Sequence, residues 1–108
     1  MFVRFTEFDV KWEKKAEFNK LIKTEILPIL KKQVGFLEVL PFYPENTKEF
    51  KAFSLTFWAN KADLLRYEKE WYPKVYELMK PYIDGPITVK YFNLEETLCE
   101  HFLKTYVA

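Results

Sequence analysis

The side chains best suited to chemistry in this sequence are Arg4, Thr6, Trp58, Tyr67, Trp71 and His101. Tyr67 and Trp71 stand four residues apart in "LRYEKEWYPKVYELMKPY" (65–82). On a helix that spacing turns two side chains the same way. Two such rings could stack a flat ligand, with the Tyr67 hydroxyl as orienting group. The same pair could equally join Leu64, Val75, Leu78 and Tyr82 in core packing. Arg4 and Thr6 alternate in "FVRFTEFDV" (2–10) and share one face if that segment is a strand. A buried guanidinium must be paired. Arg4 therefore anchors an anionic or enolate-like oxygen, meets a helix carboxylate such as Glu25, Glu68 or Glu70, or lies at a dimer rim. Thr6 is either a ligand contact or a satisfied core hydroxyl. Trp58 is either a pocket wall or a structural lid or dimer contact. His101 is the single histidine, and its ordinary pKa suits base chemistry near neutrality. Its place in the tail leaves it solvated unless the tail docks over a pocket mouth.

Other chemistries find little material. Cys99 and His101, two residues apart, are too few soft ligands for a metal. There is no glycine-rich phosphate loop, and nothing supports a nucleophilic pairing of Ser54 with His101. The 17 basic and 16 acidic side chains form no basic stripe, which argues against nucleic acid as a partner. No apolar run approaches the roughly 20 residues of a membrane span. The opening "MFVRFTEF" alternates, unlike a secretion signal. A lone Cys99 excludes an internal disulfide framework, and the cytoplasm is the expected compartment. The 108 residues fit one domain. At 49% hydrophobic and 19% aromatic, the chain holds more apolar surface than one small core needs. That predicts a pocket or a buried interface.

The elements that must position these side chains follow from periodicity. Residues 2–10 alternate as a strand, with Phe2, Arg4, Thr6, Phe8 and Val10 on one face and Val3, Phe5, Glu7 and Asp9 on the other. From Trp12 to Gln33, Phe18, Leu21, Ile22, Ile26, Ile29 and Leu30 recur at helical steps. Gly35 is a natural stop. "FLEVLPFY" (36–43) reads as a short strand, and Pro41 inside it points to an edge position or a bulge. After the polar turn "PENTKE", residues 50–59 alternate again, with Lys51, Phe53, Leu55 and Phe57 opposite Ala52, Ser54, Thr56 and Trp58. Asn60 reads as the N-cap of a second helix over 61–82, which Pro73 should bend. "DGP" (84–86) then precedes a fourth strand at 87–95. "EILPIL" (25–30) and "EWYPKV" (70–75) echo each other midway through the two helices.

This order, β-α-β-β-α-β, predicts a ferredoxin-like α+β domain over residues 1–95, with a tail at 96–108 docking on the domain or on a partner subunit. The sheet should be four-stranded and antiparallel with both helices on one face. Its other face keeps large apolar side chains and no second layer. A homodimer packed sheet to sheet is the expected cure.

"ILPILKKQVGFLEV" (26–39) and "FSLTFWANKADLLRY" (53–67) resemble the antibiotic biosynthesis monooxygenase-like family of the dimeric α+β barrel superfamily. The shared features are a helix ending in Gly-Phe, a strand ending in Trp, and a helix opened by a small polar cap. The likeness covers roughly residues 2 to 95. It implies a small dimeric protein. One branch of the family oxidises polycyclic aromatic substrates with dioxygen and no cofactor; another degrades haem with an Asn, Trp and His trio. The corresponding positions here are Thr6, Tyr67 and Glu77, and none keeps the residue type. The resemblance therefore favours a cofactor-independent monooxygenase-like protein. Its small hydrophobic aromatic substrate would lie between helices and sheet, and Arg4 or Tyr67 would stabilise a developing oxyanion. The alternatives are a non-catalytic ligand-binding or stress-associated dimer, and a structural dimer with a filled core.

Overall fold

The computed structural model describes residues 1–46 and 48–99. Four strands, β1 (Phe2–Val10), β2 (Phe36–Phe42), β3 (Lys51–Trp58) and β4 (Ile83–Asn93), form one sheet in the order β2-β3-β1-β4. All neighbours are antiparallel. The ferredoxin-like α+β plan expected from the sequence is the one observed. Pro41 does sit in an edge strand, where a missing N–H costs no ladder bond.

Register decides which side chains meet. On β1 and β3, Arg4 faces Thr56, Thr6 faces Ser54 and Phe8 faces Ala52; on β4, Arg4 faces Tyr91. Directly opposed residues share a face, so a short polar belt crosses the middle of the helix-covered side. Around it lies the core, which includes Phe8, Val10, Phe18, Leu30, Trp58, Leu64, Val75 and Ile83. The opposite face carries a row of rings reaching every strand. Phe42 stacks on Phe53 at 4.7 Å, Phe53 meets Phe5 at 5.5 Å, and Phe5 meets Phe92 edge-on at 6.3 Å.

Each helical arm is interrupted near its proline. The first runs through a 3-10 turn (Trp12–Lys14), α1 (Lys15–Leu21), a π turn (Ile22–Ile26) and α2 (Leu27–Lys31). Pro28 cannot donate to the Thr24 carbonyl. The chain widens by one residue there, and the Leu27 amide bonds the Ile22 carbonyl five positions back. The second arm was expected as one bent helix over 61–82. It is instead α3 (Lys61–Glu70), α4 (Tyr72–Met79) and a 3-10 turn (Lys80–Tyr82), with Trp71 outside helical geometry at φ −124° and ψ −29°. Asn60 caps α3 as predicted, its Oδ1 accepting from the Asp63 amide at 3.1 Å. The fourth strand begins earlier than 87, because β4 absorbs the "DGP" segment as an irregularity with Gly85 at φ +71°.

Candidate ligand-binding site

Between the sheet and the helices lies a mostly apolar cavity of about 80 Å³. Arg4 and Thr6 of β1, Ser54 and Thr56 of β3, Tyr67 of α3 and Tyr72 of α4 bring polar atoms to it; Phe8, Phe18, Ile22, Ile26, Val75 and Met79 are among its apolar walls. It adjoins a wider open groove of about 680 Å³ between the first helical arm and β2. The two share Ile22, Leu27, Val39, Pro41 and Tyr43. Tyr43 donates its hydroxyl to Asn19 Oδ1, tying the end of β2 to α1 beside this groove.

Arg4 is 4% exposed. Its Nε donates to Glu68 Oε2 at 2.8 Å, and its guanidinium lies 4.1 Å from the centre of the Tyr72 ring. The Tyr91 hydroxyl donates to the same Glu68 oxygen at 2.6 Å. Burial works against the charge on Arg4, but the bonds and attraction it gains from Glu68 and Tyr72 outweigh that, and its pKa is raised. The side chains of Tyr72 and Tyr91 also act on the guanidinium. Thr6 Oγ1 and Ser54 Oγ share one hydrogen bond at 2.7 Å.

Tyr67 is 3% exposed, and its hydroxyl bonds no described residue. Every fully enclosed side-chain polar atom among the described residues has a partner. The Tyr67 hydroxyl therefore opens onto the cavity. Burial pushes its pKa well up, with nearby Arg4 acting the other way. It stays protonated near neutrality and can donate a hydrogen bond but not serve as a base.

The structure thus brings Arg4, Thr6 and Tyr67 together and separates them from Trp58 and Trp71. Trp58 is fully buried behind the cavity wall, its ring 5.2 Å from Tyr67 and its Nε1 donating to Thr56 Oγ1 at 3.0 Å. Trp71 does not wall the cavity. The Trp71 amide still bonds the Tyr67 carbonyl at 2.9 Å, but its own backbone departs from helix and its ring is 37% exposed, near Lys74 Nζ. His101 lies outside the described residues. Tyr72, Ser54 and Tyr91 gave no sequence signal of their own. Tyr91 becomes visible only when β1 and β4 are aligned so that it faces Arg4. Among the described residues no group of acidic, His or Cys side chains could hold a metal ion.

No protein-family model and no curated protein matches the chain. Solved structures do. A cofactor-independent oxygenase from Streptomyces nogalater, SnoaB, matches with a TM-score of 0.73 at 15% identity, over 92% of this chain and 97% of its own. A candidate antibiotic biosynthesis monooxygenase from Deinococcus radiodurans matches with a TM-score of 0.73 at 12% identity, over 93% and 98%. A conserved protein from Methanosarcina mazei matches with a TM-score of 0.70 at 20% identity, over 88% and 94%. The chain has the fold of the antibiotic biosynthesis monooxygenase-like proteins. The resemblance carried by residues 26–39 and 53–67 is borne out at the level of fold. Among the described residues no helix is long and apolar enough to cross a membrane.

Proposed function

We propose that this protein is a cofactor-independent monooxygenase of that family, which binds a small aromatic molecule in the cavity between helices and sheet. The observation that carries this reading is the pair of buried donors at an apolar cavity. Tyr67 offers a hydroxyl with no hydrogen-bond partner among the described residues, and Arg4 holds a fixed positive charge beside it. A phenolate or enolate is electron-rich at carbon and can take up dioxygen there. The resulting C–OOH loses water to leave C=O, so one oxygen atom enters the product and the other leaves as water. Fixed donors stabilise the oxyanion through this sequence without reorganising. The walls keep water out, which strengthens those donors.

The test is oxygen uptake by the purified protein with a panel of hydroquinones and anthrones and no added cofactor. Turnover that falls at least tenfold in Tyr67→Phe supports the reading. Tight binding with no uptake rejects it in favour of a non-catalytic binding protein. One observation favours that second reading: no residue named at the cavity is a base near neutrality.

The homodimer belongs to the same proposal. On the open face of the sheet, Phe42, Phe53 and Phe92 are 40%, 36% and 50% exposed. Such a row of rings fits a second copy of the same sheet, with Lys51 paired to Glu7 and Asp9 at one end of the patch.

A further inference from the structure

We infer that the cavity selects a single-ring aromatic acid and binds it as the anion, with the ionised oxygen at Arg4 and Tyr67. This rests on the site proposed above and is independent of the oxidation step.

Size sets the first limit. Pockets that enclose drug-sized ligands run to roughly 300–1,000 Å³, and an apolar cavity of about 150 Å³ is enough for benzene. The inner chamber here, at about 80 Å³, admits one ring by its edge. The remainder of the ligand extends into the groove that shares Ile22, Leu27, Val39, Pro41 and Tyr43 with the chamber. A fused three-ring system would have to displace walls made of packed core side chains. Arg4, Thr6 and Tyr67 line the chamber and not the groove, so only the narrow end of a ligand reaches them.

Charge sets the second. Arg4 and Glu68 are a pair, but an asymmetric one. The Arg4 side chain is 5% exposed and that of Glu68 19%. Glu68 also accepts from Tyr91, which is 46% exposed. Glu68 is the more exposed partner, and Arg4 is the one of the two that lines the chamber. Glu68 is felt at Tyr67 as well, but the Arg4 charge acts there more strongly, so the chamber favours an anion. Tyr67 supplies a hydroxyl donor, and one hydrogen of the Thr6–Ser54 pair lies outside their shared bond. Among the described residues no carboxylate or imidazole lines the chamber to take up a proton from the ligand. The ligand must therefore arrive ionised.

4-Nitrophenol tests this, because it ionises near neutral pH and its anion is coloured. Nitrobenzene, which lacks the hydroxyl and cannot ionise, is the comparison ligand. Added protein should raise the phenolate absorbance at a pH where free 4-nitrophenol is mostly neutral. The phenolate should bind at least about tenfold more tightly than nitrobenzene. Arg4→Met should abolish that preference. Tyr67→Phe should weaken phenolate binding by about two- to tenfold with no change in urea midpoint, since no protein hydrogen bond is lost. Should Arg4→Met fail to fold, Arg4→Lys keeps the charge without the fork, and it should retain the ionisation shift with weaker binding. Equal affinity for nitrobenzene, an unchanged preference in a folded Arg4→Met protein, or tighter binding of anthrone than of 4-nitrophenol would each overturn the inference. Phenolate binding without oxygen uptake sinks the oxygenase reading alone. Uptake with a neutral, multi-ring ligand sinks this inference alone.

Discussion

Arg4 shows how one residue can meet two demands at once. Its sequence context allowed either a ligand anchor or a structural ion pair. The structure gives Nε to Glu68, sets Tyr72 and Tyr91 beside the guanidinium, and places Arg4 in the cavity lining. Tyr67 is the cleaner probe, because its hydroxyl has no hydrogen-bond partner among the described residues. Tyr67→Phe should change stability at neutral pH by no more than about 0.5 kcal/mol. At high pH the variant should behave differently. Burial raises the folded-state pKa of Tyr67 above its ordinary 10.0, so the native protein favours the protonated phenol. That contribution is complete below the ordinary value and is lost as pH rises above it. Between about pH 9 and about pH 11 the urea midpoint of Tyr67→Phe should fall less steeply than that of the parent protein. Tyr43 and Tyr91 are raised in the same direction by burial, and they leave a residual slope in both proteins. Trp71→Ala makes the opposite point. Its ring is 37% exposed and away from the cavity, so the loss should stay within about 0.5 kcal/mol, with ligand affinity unchanged. Chemical denaturation and ligand titration check both.

At the scale of elements, both helical arms divide where a proline removes a donor. The paired "EILPIL" and "EWYPKV" segments announced the positions but not the outcome. In the first arm the backbone stays helical and only widens. In the second, Trp71 departs from helical φ and ψ while its amide still bonds the Tyr67 carbonyl. The difference lies in how each arm packs, which periodicity does not encode. The break is also what brings Tyr72 to the cavity in place of Trp71. Gly35 illustrates a fixed requirement. It has φ +82°, and a Cβ there would lie 2.1 Å from Asp63 Oδ2. Asp63 is itself held by Arg66 and donates its amide to the Asn60 cap. Gly35→Ala should cost on the order of 2 kcal/mol or more, from the left-handed backbone and the displaced carboxylate together. Urea denaturation measures it. The stop role of Gly35 was legible in the sequence. Its contact with the first turn of the other helical arm was not, because Asp63 is remote along the chain.

At the scale of the whole molecule, the open sheet face carries the prediction. Phe53 stacks on Phe42 and touches Phe5 at the middle of the ring row. Phe53→Lys should convert a sedimenting dimer into a monomer at micromolar concentration, with the far-ultraviolet circular dichroism spectrum retained. It does so by placing a charge in an interface core that disfavours one. A monomeric parent protein at that concentration would refute the dimer directly.

Periodicity and turn residues alone determined the strand and helix order, the two faces of β1 and β3, the edge place of Pro41 and the cap at Asn60. Each is a local property, set by spacing of two or of three to four residues and by the backbone preferences of Pro, Gly and Asn. They also placed Arg4 and Thr6 on one face of one strand. Only the tertiary structure decided which side chains join them. Strand register set Ser54, Thr56 and Tyr91 around Arg4, the helix break exchanged Trp71 for Tyr72, and the meeting of helices and sheet left a chamber of about 80 Å³ with one unpartnered hydroxyl in it. Those are distances between residues far apart in the chain, and they exist only once the sheet has closed against its helices.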